Sequence, residues 1–591
     1  MKLDSSILSQ WLSLNHRRIG VWIIVILLGG FGVEFSVRWL SVPHGVEKLA
    51  AQFAAVGAVQ QDPAVAVNHA GNLVGLIRST EDGVGVFIVD LKAKKERLLQ
   101  RVRDSEYYRK ARMARVWGWS ADDSFFAHTW GDKDGNLSLF IWNQTDEEPV
   151  AQIPLPRGLR TMKWVGSNDC VYIDWSTNLV YLKARGGTWE EVAVWPLPPG
   201  PGRPVLEVLD SETIGVAWLG GTELWQVELR SGRTLKFYTA TAGTTIDAVR
   251  YAPENRAFLI SESVRRATTS TLVQVTYGGD GWSRRDIGRW PTIRAVEWIN
   301  GGRGFAIHIR QGENNYLLVR PDPFVSDAIH FKNGGVLGIF TTSTTGAVYA
   351  IASLSNEPPA IWKCSGDDKA QVYSLQGKDG ESLRYQPVLV GWAPFNGHNA
   401  RFELLPPANF SRNKKYPLVI GLASYTWSPI PHAVCAQALA NAGAYVALSG
   451  FTFREDLRKV SLEHVENINA IYNMMAASPN VDTNRVFIFA FSGSTIAVCE
   501  LLKRYPGRFK GIILLHPGEL PEAAVGMCGR VLLTAGVDES WAAQRFLDYK
   551  KELFKVGIPA EVFFHEAGGH IARAQRTMCE RVQLMVKTVF R

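Results

Sequence analysis

Short apolar segments recur along residues 60–385 at spacings of roughly 40–50 residues, and this repetition constrains the fold more than any other feature. Most of them are rich in aromatic residues and are followed by a polar turn and a second short apolar segment. The repeats begin near Val65, Val116, Met162, Val205, Ala248, Ala295 and Val336. Because no long helical period interrupts them, the pattern predicts an all-β propeller of about seven blades, with six or eight as alternatives.

A serine near the C-terminus lies between a predicted strand and a predicted helix. Arg485 to Ala490 is a short apolar run typical of a buried strand, and Thr495 to Tyr505 has helical character. Ser492 stands at the apex of the turn between them, which is the arrangement of a nucleophile elbow. Such a turn requires small residues two positions before and two positions after the serine, and Ala490 and Ser494 meet that requirement.

Two further residues follow later predicted strands. Asp538 comes just after the apolar run Gly529 to Ala535, and His570 lies in a glycine-rich segment after the run Ala560 to Phe564. Active sites of open α/β sheets lie at the carboxyl edge of the strands, so these residues are predicted to meet Ser492 there. The order Ser, Asp, His is that of an α/β-hydrolase triad.

The expected roles follow from the chemistry of the three side chains. His570 would accept the proton of Ser492, and Asp538 would hold the imidazole tautomer and stabilise the imidazolium. His516 and His565 are alternative imidazoles for the general base, because each also stands at the end of an apolar run.

The segment Asp482 to Ser494 resembles a motif of the prolyl oligopeptidase family of serine peptidases, in which Asp-x-x-Arg leads through a strand into Gly-x-Ser-x-Gly. Lys414 to Ile420 resembles the strand that opens the hydrolase domain of that family. The resemblance implies a β-propeller followed by an α/β-hydrolase domain. It also implies an oxyanion hole formed by Tyr425 and the backbone N–H of Gly493.

The sequence departs from the family pattern near Tyr425, where Ala423 to Ser428 replaces a glycine-rich stretch. A further similarity lies in the propeller region, where Glu190 and Glu191 resemble the paired glutamates that bind a substrate amino terminus in the dipeptidyl-peptidase branch. This pair falls within a predicted blade strand, Thr188 to Trp195, which favours a structural role.

The N-terminus contains an apolar run, Ile19 to Val33, preceded by Arg17 and Arg18. A spanning helix needs about 20 residues, and Phe35 to Leu40 extends the run. We interpret it as an uncleaved signal anchor with a cytoplasmic N-terminus and the remainder on the periplasmic or extracellular side. A cleaved signal peptide, giving a secreted protein, is the alternative.

The predicted domains are therefore a cytoplasmic tail and anchor (1–42), a propeller with a short lead-in (43–385) and an α/β-hydrolase domain (386–591). Residues 391–414 are expected to serve as the connection into the last of these. The chain of 591 residues carries a net charge of +8 spread without long runs, so no nucleic-acid site is predicted. Six cysteines without C-x-x-C spacing and the lack of a phosphate-loop motif predict neither metal nor cofactor.

The sequence thus predicts a membrane-anchored serine peptidase that hydrolyses short peptides through an acyl-enzyme, with a peptide substrate and the membrane as partners. Two other functions stay open. One is an esterase or a specialised amidase or isopeptidase that uses the same triad. The other is a catalytically inert binding protein in which the propeller carries the function.

Overall fold

A computed structural model describes the chain from residue 65 to residue 590. Within that range it leaves out residues 81–82, 104–114, 132–135, 265–266, 279–280, 312–313, 323–326, 332–333, 342–346, 355–359, 366, 375–385, 396–397, 423–430, 451–456, 523–528, 537–539 and 566–574. The predicted anchor, residues 19–33, lies outside the described residues. Among the helices that are described, none is both long enough and apolar enough to cross a membrane.

Seven four-stranded antiparallel sheets, here called blades 1 to 7, occupy the first part of the described chain. Blades 1 to 4 comprise β1 Val65–Val67, β2 Leu73–Ser79, β3 Gly83–Asp90, β4 Lys95–Arg103; β5 Arg115–Trp119, β6 Phe125–Gly131, β7 Leu137–Asn143, β8 Ala151–Pro154; β9 Thr161–Trp164, β10 Asp169–Ile173, β11 Asn178–Arg185, β12 Thr188–Pro196; and β13 Arg203–Asp210, β14 Thr213–Leu219, β15 Glu223–Glu228, β16 Thr234–Thr239. Blades 5 to 7 comprise β17 Thr244–Ala252, β18 Ala257–Val264, β19 Thr269–Gly278, β20 Gly281–Pro291; β21 Ile293–Ile299, β22 Gly304–Gln311, β23 Asn314–Arg320, β24 Ala328–His330; and β25 Gly334–Thr341, β26 Val348–Leu354, β27 Ala360–Ser365, β28 Asp368–Ser374.

The first strand of each blade lies on the inside of a closed ring. The strands β1, β5, β9, β13, β17, β21 and β25 are neighbours in that order, and β25 lies against β1. All seven repeats recognised in the sequence fall in these innermost strands, one per blade. The prediction of a seven-bladed propeller is confirmed.

Each described blade consists of four strands that are consecutive in the sequence, so blades 1 and 7 share no described strand. Contacts of side chains close the ring between these two blades. An apolar cluster joins Leu76 of blade 1 to Tyr349 of blade 7. The hydroxyl of Tyr349 also donates a hydrogen bond to the carbonyl of Gly71 at 3.1 Å. Arg78 donates a hydrogen bond to the hydroxyl of Tyr373 at 3.2 Å, so polar contacts support the closure as well.

Charged side chains of alternating sign connect the innermost strands of blades 3 to 6. The ammonium of Lys163 lies 3.3 Å from the carboxylate of Glu207. Arg250 reaches in both directions, to Glu207 at 3.2 Å and to Glu297 at 2.7 Å. Both glutamates are buried, so these ion pairs cross three blade boundaries in a setting of reduced solvent screening.

The second part of the described chain forms one eight-stranded sheet in the order β29-β30-β32-β31-β33-β34-β35-β36. Its strands are β29 Leu389–Phe395, β30 His398–Leu405, β31 Tyr416–Leu422, β32 Tyr445–Ser449, β33 Val481–Phe491, β34 Gly511–Leu515, β35 Arg530–Gly536 and β36 Ala560–His565. The strands from β31 to β36 pair in parallel, whereas β29 and β30 are antiparallel additions at one edge. Residues 391–414, which were expected to link the propeller to the hydrolase domain, contribute to the sheet itself through part of β29 and the whole of β30.

Five helices of the described chain cover this sheet on both faces. They are α1 Pro431–Asn441, α2 Leu457–Ala476, α3 Thr495–Arg504, α4 Ser540–Lys555 and α5 Gln575–Phe590. One apolar core contains Ile468 of α2, Leu501 of α3 and Phe546 of α4, and a second contains Leu439 of α1 and Met585 of α5. Strand β33 contributes to both cores because successive side chains of a strand point to opposite faces. Both its faces are therefore buried, which explains the continuous apolar run that precedes Ser492.

Candidate active site

Ser492 follows the last residue of β33 and has a backbone φ of +53°. This left-handed conformation is costly for a residue with a Cβ atom, on the order of 1–2 kcal/mol. A short 3-10 turn, Ser492–Ser494, leads directly into α3, which begins at Thr495. The predicted strand, turn and helix are therefore present, with the serine in the strained position at the apex.

Side-chain hydrogen bonds hold this turn. The hydroxyl of Ser494 accepts a hydrogen bond from the backbone N–H of Phe491 at 2.9 Å and donates one to the carbonyl of the same residue at 2.7 Å. The hydroxyl of Thr495 donates to the carbonyl of Ser492 at 2.7 Å. A serine two positions after Ser492 thus supplies polar contacts that a glycine could not.

The position two residues before Ser492 is closely surrounded. Ala490 is fully buried, and its register partners are Leu422 on β31 and Leu514 on β34. A larger side chain at this position would have to displace its neighbours, because protein interiors are close-packed. Alanine fits, so the departure from glycine at this position is compatible with the turn.

The segment after β34 contacts the same turn. His516 has a φ of +49°, and its backbone N–H donates to the carbonyl of Thr534 at 2.7 Å. The N–H of Gly518 points to the carbonyl of Ser492 at 3.5 Å. One residue further, the N–H of Glu519 donates to the hydroxyl of Thr495 at 3.2 Å. The turn that carries Ser492 is therefore braced by the chain that leaves the neighbouring strand.

Two histidines and an arginine form a buried cluster at this edge of the sheet. The Nε2 atoms of His516 and His565 are 3.1 Å apart, and a guanidinium nitrogen of Arg581 lies 3.0 Å from Nε2 of His516. His516 and His565 are each 1% exposed and Arg581 is completely buried. We name these three residues the His–Arg cluster.

The protons of the cluster can be assigned from its contacts. Arginine is always a donor, so Nε2 of His516 accepts and its own proton is on Nδ1. A proton on Nε2 of His565 would share the single lone pair of this acceptor atom with Arg581. Both imidazoles are buried and occupied by these contacts, which disfavours the alternative that either His516 or His565 is the general base.

The structure describes Ser492 and Gly493 of the predicted site, whereas Tyr425, Asp538 and His570 lie outside the described residues. Gly493 follows Ser492 in the 3-10 turn, at the start of the segment that becomes α3. The strands that lead to Asp538 and His570 are described: β35 ends at Gly536 and pairs with the last residue of β36, His565. The strand ends thus lie side by side at one edge of the sheet, and the roles of Asp538, His570 and Tyr425 stay predictions.

The paired glutamates of the propeller do not form an isolated acidic site. Glu190 and Glu191 lie on β12, the outermost strand of blade 3, as the sequence favoured. The carboxylate of Glu191 accepts a hydrogen bond from Arg157 at 2.6 Å.

Among the described residues no group of three or more His, Cys, Asp or Glu side chains is placed to hold a metal ion. The two imidazoles of the His–Arg cluster lie beside a guanidinium, whose positive charge disfavours a cation there.

The fold and the serine turn together define a class: a seven-bladed propeller followed by an α/β sheet of the hydrolase type with a nucleophile elbow. No protein-family model matches the sequence, and no curated protein is similar to it at a significant level. Solved structures do match. An acylaminoacyl peptidase from Pyrococcus horikoshii is 12% identical over 88% of this chain and 94% of its own, with a TM-score of 0.62.

Two further solved structures are similar to the same extent. A puromycin hydrolase is 13% identical over 91% of this chain and 96% of its own, with a TM-score of 0.62. The AtxE2 isopeptidase with astexin3-dC4 bound is 12% identical over 89% of this chain and 92% of its own, with a TM-score of 0.59. These likenesses extend through both parts of the chain. The fold expected from the resemblance to the prolyl oligopeptidase family is thereby confirmed.

Proposed function

We propose that this protein is a serine hydrolase of the prolyl oligopeptidase type that cleaves short peptides through an acyl-enzyme. The observation that carries the proposal is the positive φ of Ser492 at the apex of a strand, turn and helix. Strained residues of this kind persist where the surrounding structure over-determines them, and they cluster at active sites. The hydrogen bonds that the hydroxyls of Ser494 and Thr495 donate to the carbonyls of Phe491 and Ser492 supply that support here.

The proposed mechanism assigns one role to each predicted residue. Oγ of Ser492 attacks the substrate carbonyl while its proton passes to His570, which Asp538 orients. The negative charge that develops on the carbonyl oxygen is stabilised by the N–H of Gly493 and the hydroxyl of Tyr425. His570 then gives its proton to the leaving amine, and a water molecule activated by His570 releases the acyl group from Ser492.

The names of the similar structures support hydrolysis of an acyl–nitrogen bond as the reaction. They are an acylaminoacyl peptidase, a puromycin hydrolase and an isopeptidase. Because the AtxE2 isopeptidase matches as much of the chain as the peptidase does, a specialised amidase or isopeptidase is the second candidate. The inert binding protein is disfavoured by the presence of Ser492, Asp538 and His570 in the chain order of a triad.

Labelling with a fluorophosphonate probe tests the proposal. We expect covalent labelling of the wild-type protein and none of Ser492→Ala, while Ser231→Ala, in an exposed turn of blade 4, labels at the wild-type rate. Full labelling of Ser492→Ala would refute the proposal. A panel that compares peptide amides, isopeptides and esters of the same acyl group then separates the two candidate activities.

The proposal includes membrane anchoring through residues 19–33, with the propeller and the hydrolase domain on the periplasmic or extracellular side. The apolar run and the arginines before it support this location. A chain that begins at residue 43 should leave the membrane fraction and keep its labelling activity. Recovery of the full-length protein in the soluble fraction, shortened at its N-terminus, would instead indicate a cleaved signal.

A further inference from the structure

The His–Arg cluster joins three elements that are far apart in the sequence. His516 follows β34, His565 ends β36, and Arg581 comes from the second turn of α5. The two histidines are 49 residues apart, and Arg581 is 65 residues from His516. Their contacts tie the carboxyl ends of two strands to the helix that covers them, next to the strand that carries Ser492.

A completely buried guanidinium is expensive to maintain. A buried charge is costly unless it is paired and hydrogen-bonded, and the described groups around Arg581 include two imidazoles and the thiol of Cys435. Burial raises the pKa of that thiol to about 12, and the charge of Arg581 acts in the opposite direction. The contact of the guanidinium with Nε2 of His516 is one of the hydrogen bonds that this buried charge requires, and it fixes one side of the imidazole ring.

The His–Arg cluster holds the segment that contacts the serine turn, residues 516–519, which we call the brace. The ring of His516 packs edge to face against Phe491, with centroids 5.6 Å apart, and Phe491 directly precedes Ser492. The backbone of His516 turns sharply, and the following residues Gly518 and Glu519 then reach Ser492 and Thr495. The orientation of the His516 ring therefore determines its contact with Phe491, and the packed ring anchors the backbone turn from which Gly518 and Glu519 reach the serine turn.

We propose that His516 is a positioning residue for Ser492 and that Arg581 and His565 fix the orientation of its ring. The inference rests on the proposed function, because it assigns the cluster to the same site. The cluster also joins His565 and α5, the two described elements between which the predicted base His570 lies in the sequence. Loss of the His516 ring would thus leave the fold in place but misplace the nucleophile.

The test uses His516→Asn, because asparagine adopts positive φ readily and so preserves the turn while it removes the ring. We expect kcat and the rate of fluorophosphonate labelling to fall about 10- to 100-fold, with KM changed by less than about twofold. Arg581→Met should cause a similar loss and Arg581→Lys a smaller one. The double variant with both His516→Asn and Arg581→Met should lose no more activity than either single variant, because the two residues act as a unit.

The matched control is His128→Asn. His128 is a completely buried histidine in blade 2 that accepts a hydrogen bond from Trp142. Its loss should lower the melting temperature and leave kcat unchanged. If His516→Asn kept the wild-type kcat, or if the cluster substitutions lowered only the melting temperature as His128→Asn does, the inference would be wrong.

A readout independent of activity separates this inference from the proposed function. Hydrogen exchange at the amides of residues 491–495 and 518–519 should become faster in His516→Asn and stay unchanged in His128→Asn. If Ser492→Ala were still labelled but exchange in His516→Asn were faster, the proposed function would fail and the positioning would stand. Unchanged exchange in His516→Asn would overturn the positioning, whatever the labelling experiment gave.

Discussion

Ser492 and His516 occupy equivalent places on neighbouring parallel strands, and both have left-handed backbone conformations. Phe491 and Leu515 are register partners, and each is the last residue of its strand. The next residue in each case is neither glycine nor asparagine, yet φ is +53° for Ser492 and +49° for His516. Two strained turns therefore lie side by side at the carboxyl edge of the sheet, and the hydrogen bonds between the two segments account for their persistence.

Glycine is usually less favourable than alanine within regular structure, but the strain at Ser492 predicts the opposite order of stability for Ser492→Gly and Ser492→Ala. Ser492→Ala keeps a Cβ atom in the left-handed region, whereas Ser492→Gly removes it. We expect the glycine variant to be the more stable by about 0.5–1 kcal/mol in free energy of unfolding, after allowance for the greater flexibility of glycine in the unfolded chain. Urea unfolding of both proteins measures this difference. A more stable alanine variant would show that the turn carries no strain.

Tyr425 is predicted to donate its hydroxyl to the developing oxyanion. Tyr425→Phe should therefore lower kcat on the order of 10²–10³-fold with little change in KM, as expected for the loss of one such donor. The matched control is Tyr416→Phe, because among the described residues the Tyr416 hydroxyl bonds backbone groups, donating to the carbonyl of Asn409 and accepting from the N–H of Ser411. That substitution should reduce stability and leave kcat unchanged. A change in kcat of less than about threefold for Tyr425→Phe would assign the second donor to the backbone.

The features that the sequence predicted are those set by local pattern. The seven repeats near Val65 to Val336 identified the innermost strands because each blade begins with an apolar strand and a polar turn. The predicted strand Arg485 to Ala490 lies within β33, and the helix after Ser492 begins at the predicted residue, Thr495. Chain order and strand ends were sufficient to place the serine.

The features that were not predicted depend on contacts between distant residues. The sequence offers His516 and His565 as alternative bases because each follows a predicted strand, and nothing in the sequence pairs them with Arg581. Residues 391–414 are expected to link the propeller to the hydrolase domain, and the sequence alone does not show that this segment contributes strands to the sheet. The edge position of β29 accommodates Pro394, which cannot donate a hydrogen bond to a neighbouring strand.

Arg250 is predicted to stabilise the propeller, because it pairs with two buried carboxylates on either side. Arg250→Met would remove hydrogen bonds to Glu207 and Glu297 and leave both carboxylates without this partner. We expect a loss of about 1.5–3 kcal/mol in free energy of unfolding, measured by urea unfolding. Arg230→Met, which breaks an exposed ion pair with Glu212, is the control and should cost less than about 1 kcal/mol. Equal losses would show that the inner ion pairs do not differ from surface ones.

His128 predicts a specific dependence of stability on pH. Its Nε2 accepts a hydrogen bond from the indole N–H of Trp142 at 3.0 Å, and its ring stacks on Phe140 with centroids 5.2 Å apart. Burial lowers the pKa of His128 to about 3, and a proton on Nε2 would also oppose the indole donor. The folded pKa is thus below the unfolded value of about 6.5. The stabilisation is therefore complete above pH 6.5 and is lost as the pH falls towards 3, because the unfolded chain binds a proton that the folded protein does not.

Between pH 7 and pH 5 this effect should remove about 2 kcal/mol from the free energy of unfolding. His128→Phe keeps an aromatic ring in the stack but cannot titrate. We expect it to be less stable than the wild type at pH 7, because Trp142 loses its acceptor, and to lose less stability between pH 7 and pH 5. Urea unfolding followed by tryptophan fluorescence at both pH values gives the two differences. If the wild type and His128→Phe lost equal amounts of stability over this interval, His128 would have to be protonated within the folded blade, and the Trp142 hydrogen bond could not exist at pH 5.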